Sequence, residues 1–319
     1  MKAMIVEEDK LVTSKAEKPT PKKGEILIKV KAAAVNRTDI LNRKRKTSYM
    51  DLPILGVEVA GIVEDAGDTD LAKGTPVMGL VNGGAYAEYV TMPADRAIVV
   101  PENLSFTEAA AIPEVFLTAY QTLFWLGSLQ EKETVLIHAG GSGVGTAAIQ
   151  LAKQLKSANV ITTAGSEEKL QFAQSIGADT LINYKEQDFS EVIQEATDKQ
   201  GANVILDFIG APYWKKNLTS ISIDGRWVLI GVLGGNTVEK VKLMDLMTKR
   251  IQLTGTLLTP RSNQYKAELT TDFSQNALPL FTSEKLKPII DKVFPLEEVQ
   301  QAHEHMEANK NIGKIILSV

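Results

Sequence analysis

No segment limits the fold more tightly than Val135-Leu136-Ile137-His138-Ala139-Gly140-Gly141-Ser142-Gly143-Val144-Gly145-Thr146-Ala147-Ala148. An apolar run of strand length ends in a glycine-rich turn, and the turn opens directly into helical spacing: Val144, Ala148, Leu151 and Leu155 step by four, three and four residues. Backbone N–H groups and the positive end of a helix dipole converge at such a turn, which suits a dinucleotide pyrophosphate. Aligned on Gly140 and Gly145, the middle glycine of the G-x-G-x-x-G pattern is Ser142. Its hydroxyl can donate to phosphate, and Gly143 beside it is conformationally permissive. The bland alternative is a glycine turn that only lets a helix pack closely on a strand.

The flanking rhythm extends this unit. Six strands are expected, at Thr134 to Ala139, Asn159 to Thr163, Thr180 to Asn183, Asn203 to Phe208, Arg226 to Gly231 and Ile251 to Leu257, with helical stretches between them. Alternation of this kind predicts an α/β fold with a doubly wound parallel sheet. From Met1 to about Ile112 the apolar segments are shorter and broken by Gly, Pro and charge, which reads as mostly β. A helix, Leu296 to Met306, and a strand, Gly313 to Leu317, close the chain. That last strand needs a partner outside the six, so the α/β unit is expected to be inserted into the β-rich one.

The choice of nicotinamide cofactor is written about 20 residues past the glycines, where an acid would engage ribose hydroxyls. Here the chain reads Thr162-Thr163-Ala164-Gly165-Ser166, with Lys169 one helical turn further on. Small neutral residues leave room for a 2'-phosphate and Lys169 offers it a charge, which favours NADPH over NADH. Ser166 is equally suited to cap the helix Glu167 to Ile176, and Lys169 to be a solvated helix charge.

Composition removes other classes. At 319 residues the chain has room for two cores. It has no cysteine, so disulfides, thiolate nucleophiles and thiolate metal ligands are excluded together. A net charge of -4 gives no footprint for nucleic acid, and the short run Arg43-Lys44-Arg45-Lys46 reads as solvated loop. The amino terminus lacks a signal-peptide core and no apolar run is long enough to span a membrane, so a cytoplasmic location is expected. Gly56-Val57-Glu58 resembles the G-H-E segment of zinc alcohol dehydrogenases with the ligand histidine replaced by Val57. Of the three histidines, His138 ends an apolar strand and reads as a core residue, while His303 and His305 fall on different faces of a helix. Catalytic zinc is therefore not expected.

Longer blocks carry a family resemblance: His138-Ala139-Gly140 onward to Gln150, Thr163-Ala164-Gly165-Ser166, Asp224-Gly225-Arg226-Trp227-Val228-Leu229 and Met306 to Ile315. Through them the chain resembles the zinc-free medium-chain dehydrogenase/reductases, and among these the NADPH:quinone oxidoreductases of the tumour-suppressor-inducible branch. The resemblance implies a GroES-like catalytic domain at 1–117, completed by 262–319, and a Rossmann cofactor domain at 118–261. It carries Thr118 to the nicotinamide, and Ser142, Gly143, Val144 and Gly145 to the pyrophosphate. Gly165, Ser166, Lys169 and Tyr184 map to the 2'-phosphate, and Gly210, Gly231 and Leu257 to the ribose and nicotinamide. Asn311 and Lys314 are implied to close over the cofactor, Lys314 having the alternative of a surface strand charge. Asn36, in Asn36-Arg37-Thr38-Asp39, and Tyr49 are implied to orient the substrate.

The implied activity is electron or hydride transfer from NADPH to a quinone or other conjugated carbonyl compound, without zinc or flavin. An enone reductase of the same superfamily, with Tyr49 as proton donor, is the first alternative. A cofactor-binding protein of zeta-crystallin type that holds RNA or a partner is the second. A homodimer is expected, because the sixth strand would leave an apolar sheet edge to be covered.

Overall fold

The computed structural model describes residues 1–44 and 53–319. The chain divides into two compact units, Met1–Leu117 together with Thr259–Val319, and Thr118–Leu258. Among the described residues the strands are β1 (Lys2–Glu7), β2 (Lys10–Lys15), β3 (Glu25–Val35), β4 (Glu58–Asp65), β5 (Pro76–Leu80), β6 (Tyr89–Pro93) and β7 (Ile98–Val99). There follow β8 (Thr134–Ile137), β9 (Asn159–Ala164), β10 (Thr180–Asn183), β11 (Ala202–Asp207), β12 (Ile221–Leu229) and β13 (Gln252–Gly255), and then β14 (Ile290–Pro295) and β15 (Lys314–Ser318).

In the discontinuous unit the long strand β3 is the organiser. It pairs antiparallel with β4, β6 and β15, and the sheet runs β14-β15-β3-β4-β5-β7 with β6 also on β3. Ile26, Ile28, Val30, Ala33 and Val35 of β3 pack with Val59, Val63, Val77, Val90, Ile315 and Leu317 in one apolar cluster. The final strand thus returns to the β-rich part, with Ile315 opposite Val35 and Leu317 opposite Ala33. Its neighbour β14 departs from the expected pattern. Asp291, Lys292 and Val293 are all exposed in it, so it carries none of the alternation that marks a half-buried strand.

The continuous unit is a six-stranded parallel sheet in the order β10-β9-β8-β11-β12-β13. This is the expected doubly wound arrangement. The chain moves outward from β8 to β10 and then resumes on the other side at β11. The reversal lies between β8 and β11, and ligands bind such sheets outside the carboxyl ends of the strands at that point. β8 is apolar and buried along Val135, Leu136 and Ile137, as a central parallel strand must be.

Boundaries depart from expectation mainly in β12, which begins at Ile221 and not at Arg226. Asp224-Gly225 looks like a turn, yet Asp224 takes a φ of 60° inside the strand, and the register against β11 jumps between Ala202 and Val204. A bulge absorbs the extra residues. The basic run also needs correction. Arg43 is buried at the end of the helix Arg37–Arg43, and its Nη2 lies 2.8 Å from Glu307 Oε2, while Lys44 pairs with the other oxygen of the same carboxylate. Arg43 and Lys44 are thus held by ion pairs and are not part of a solvated loop; Arg45 and Lys46 lie outside the described residues.

Candidate functional site

Past β8 the chain turns through Ala139, with a left-handed φ of 54°, into Gly140 and Gly141. Ser142 then caps the helix Gly143–Lys156. Its Oγ accepts from Gly145 N at 3.0 Å, which leaves the hydroxyl hydrogen for an acceptor outside the helix. Gly143 and Val144, in the first turn, stay partly exposed. Gly145 is buried, and a side chain there would run into the Ala139 carbonyl, so only glycine lets the helix start this close to the strand.

A second turn sits beside the first at the end of β9. A Cβ on Gly165 would stand 2.5 Å from the Tyr184 hydroxyl oxygen and 3.2 Å from Lys185 Cε, so both side chains just past β10 lie against it. Ser166 Oγ accepts from Lys169 N at 3.4 Å and caps the helix Glu167–Ser175. The stem of Lys169 runs over Gly141, its Cβ, Cγ and Cδ lying 3.2, 3.1 and 3.0 Å from where a Gly141 Cβ would be. One basic side chain therefore joins the two turns. Ser142, Gly143, Val144, Gly145, Gly165, Ser166, Lys169 and Tyr184 share the carboxyl edge of β8, β9 and β10. Lys185 belongs with them and escapes sequence reasoning; its only signal there is its place next to Tyr184.

On the other side of the reversal, Gly210 follows β11 with a φ of 82° and donates its N–H to Asp207 Oδ1 at 3.1 Å. Gly231 follows β12 and donates to the Asp207 carbonyl at 3.3 Å, and Leu257 lies half-exposed two residues past β13. Thr118, buried, opens this unit, and its carbonyl accepts from Thr122 Oγ1 at 2.8 Å.

Beneath the glycine turns lies a closed polar network. His138 Nε2 stands 2.8 Å from Asn217 Oδ1, and Asn217 Nδ2 donates to Asp207 Oδ2 at 3.0 Å, where Trp227 Nε1 also donates at 3.2 Å. Since Asn217 presents its oxygen, Nε2 of His138 carries the proton, and Nδ1 accepts from Thr163 Oγ1 at 3.0 Å. Burial lowers the His138 pKa, so the ring is neutral and spent on structure.

The discontinuous unit holds a second network, around Asn36. Lys314, 2% exposed, donates from Nζ to Asn36 Oδ1 at 2.6 Å, to Glu58 Oε1 at 2.7 Å and to Val35 O at 3.1 Å. Asn36 Nδ2 donates to the same Glu58 oxygen at 2.8 Å, and Glu58 Oε2 accepts from Glu114 N at 2.8 Å. Lys314 is thus not a surface strand charge, and all three of its N–H bonds are used inside this unit. Asn311 is buried too and donates to Gly313 O at 2.8 Å. Tyr49 lies outside the described residues.

The rest of Asn36-Arg37-Thr38-Asp39 is partly structural. Arg37 reaches Met306 O at 3.3 Å, and Asp39 accepts from Asn36 N at 2.9 Å and Gly56 N at 3.1 Å. Burial pushes the Asp39 carboxyl up to about 7. Tyr86, which also interacts with Asp39, sits with its hydroxyl 3.0 Å from His303 Nε2, and burial pushes the imidazole of His303 down to about 3. His305 pairs with Asp291 at 2.7 Å. Among the described residues no group of three His, Cys, Asp or Glu side chains could hold a metal ion. With Val57 where a ligand histidine would stand and each histidine engaged elsewhere, the residues present do not fit a zinc centre.

Two protein families match this chain, one described as the alcohol dehydrogenase GroES-like domain, over residues 22–102, and the other as the zinc-binding dehydrogenase, over residues 143–275. Over 98% of its length the chain is 31% identical to a mouse protein called synaptic vesicle membrane protein VAT-1 homolog-like, covering 78% of that protein. It is 32% identical to bovine quinone oxidoreductase-like protein 2 over 92% of this chain and 85% of the relative. Among solved structures, Escherichia coli quinone oxidoreductase complexed with NADPH matches with a TM-score of 0.91 and 29% identity, all of both chains being covered. The CurK enoyl reductase matches at 0.86 and 29% over 99% of this chain and 98% of that one. The chain belongs to the medium-chain dehydrogenase/reductase superfamily, an oxidoreductase family built from a GroES-like unit and a Rossmann unit. No helix of the described residues is long and apolar enough to cross a membrane.

Proposed function

We propose that this protein is an NADPH-dependent reductase of quinones and related electron-poor carbonyl compounds, working without zinc or flavin. The observation that carries this reading is the paired turn with Lys169 laid across it: the amides of Gly143 and Val144 in the first helical turn, the hydroxyl hydrogen of Ser142, and a surround of Gly165, Ser166, Tyr184 and Lys185 with no carboxylate at the end of β9. An anionic 2'-phosphate suits that surround, and an aspartate or glutamate that would select NADH is missing from it. The E. coli enzyme with NADPH supports the same reading.

When bound, the dihydronicotinamide would supply a hydride or its electron equivalents, and solvent would supply the proton that completes a hydroquinone. The protein's part is to hold both partners. Gly143, Val144 and Gly145 would carry the pyrophosphate, Thr118, Gly210, Gly231 and Leu257 would line the nicotinamide half, and Asn36 would orient the acceptor's oxygen. Tyr49 remains proposed beside it on resemblance alone. Calorimetry with NADPH and NADH is the first test, and the absence of heat with NADPH would end the proposal. Turnover of a quinone and enone panel with 4-deuterated NADPH comes next. Deuterium kept on product carbon would favour an enone reductase, the reading supported by the CurK likeness, in which Tyr49 would be the proton donor.

A homodimer is part of the proposal. β13 is the sheet's last strand, and Leu243, Met244, Met247, Leu253 and Leu257 on and around it are exposed. Such a patch suits a second copy of the same edge. Sedimentation should give twice the 34.7 kDa chain mass, and a monomer at micromolar concentration would contradict it.

A further inference from the structure

We infer that Lys314 and Glu58 are positioning residues whose joint task is to fix the carboxamide of Asn36, so that its second Nδ2 hydrogen serves as the donor to the acceptor's oxygen. This rests on the role proposed for Asn36 and goes beyond it. The ammonium of Lys314 has only hydrogens to offer, so the group facing it at 2.6 Å is the Asn36 oxygen. The carboxylate of Glu58 offers only lone pairs, so the group facing it at 2.8 Å is the Asn36 nitrogen. The amide cannot turn over without setting N–H against N–H and oxygen against oxygen.

Held this way, Nδ2 gives one hydrogen to Glu58 and keeps one without an acceptor among the described residues. Lys314 withdraws electron density through Oδ1, which makes that hydrogen a better donor. Lys314 has no hydrogen left for a cofactor phosphate, because Val35 O takes its third. The pair also explains why Glu58 tolerates full burial: it is neutralised by Lys314 at 2.7 Å and its other oxygen is bonded by Glu114 N at 2.8 Å. Asn36, Glu58 and Lys314 are 22 and 256 residues apart in succession, and only the pairing of β15 and β4 with β3 brings them together.

The test removes the charges together, in Lys314→Met/Glu58→Gln, so that neither is left buried alone. NADPH affinity should stay as in the parent, while kcat for the quinone falls by roughly ten- to a hundredfold, as expected for loss of orientation. Adding the same pair of changes to Asn36→Ala should lower kcat no further. A variant that binds NADPH weakly but keeps its kcat at saturation would overturn the inference and return Lys314 to the cofactor. A parental kcat in Asn36→Ala would sink the earlier reading of Asn36 instead. If the double variant does not fold, side-chain amide NMR of the parent, with Asn36 assigned by its loss in Asn36→Ala, still decides. The Nδ2 proton bonded to Glu58 should exchange slowly and the other quickly, the second shifting and slowing on addition of quinone, whereas equally fast exchange of both would refute the fixed amide.

Discussion

The two polar centres of this molecule are built on opposite plans. At the carboxyl edge of β8 to β10 the lysines stand toward the surface, and the Asp207 carboxylate beneath is buried among uncharged donors, Asn217 Nδ2, Trp227 Nε1 and the N–H groups of Ile209 and Gly210. Around Asn36 the charges themselves are buried, and Lys314 and Glu58 satisfy each other. The first plan leaves hydrogen-bond capacity for a ligand to use. The second spends its charges and all but one Asn36 hydrogen internally and gains a rigid geometry, so the same substitution, lysine to alanine, should have different consequences in the two places.

The largest effect is expected at Lys314. Lys314→Ala leaves Glu58 buried, charged and unpaired, which costs about 3–5 kcal/mol. Urea unfolding followed by far-ultraviolet circular dichroism, which reports both units, should show the midpoint drop accordingly, and Lys314→Ala/Glu58→Gln should recover most of it. A single variant as stable as the parent would show that Glu58 relaxes to solvent or takes up a proton at little cost, and the contrast between the two centres would fail.

The same plan predicts how stability depends on pH. His303 has a folded pKa near 3 against 6.5 for a solvated histidine, because burial disfavours the imidazolium. A depressed folded pKa means stability that is present above 6.5 and lost as pH falls through that value toward 3, here on the order of a few kcal/mol. Asp39 has the opposite sign. Its carboxyl is raised to about 7, so its contribution is full below about 4 and is lost as pH rises through 7. His303→Gln should therefore flatten the acid limb of a stability-against-pH curve between 6.5 and 3 and leave the neutral limb as it was. An unchanged acid limb would mean that His303 is not the group being protonated.

These contrasts also explain which parts can be read from the chain before folding. The glycine turn, the Ser166 cap and the six strands are local patterns, complete within some 15 residues or repeated at even spacing, and apart from the early start of β12 they appear where expected. Thr180–Asn183 matches to the residue. The Asn36 centre is assembled from three distant stretches, and nothing near Glu58 or Lys314 in sequence announces the other. Resemblance alone thus gives Lys314 to the cofactor or to the surface, while packing places it inside. Asp224 and β14 escape for a different reason: a left-handed residue within a strand and a strand with an exposed middle both break the periodicity that sequence reading depends on.

The smallest effects, and the most specific, belong to Lys169 and Lys185 at the edge proposed for the cofactor. Lys169→Ala removes a charge whose stem is anchored over Gly141, so NADPH affinity should fall by about ten- to a hundredfold, the worth of a hydrogen bond to a charged group, with NADH affinity and fold stability almost unchanged. Lys185 is exposed and reaches Gly165 only with its end, so Lys185→Ala should weaken NADPH by roughly two- to fivefold. Solvent screening separates them further. The Lys185 effect should fade between low salt and about 0.5 M salt, where the Debye length shrinks to a few ångströms, while the Lys169 effect persists because its contact is direct. Equal losses for NADPH and NADH in Lys169→Ala would show that it acts on something common to both nucleotides, such as the pyrophosphate above Gly141, and would move the 2'-phosphate toward Tyr184 and Lys185.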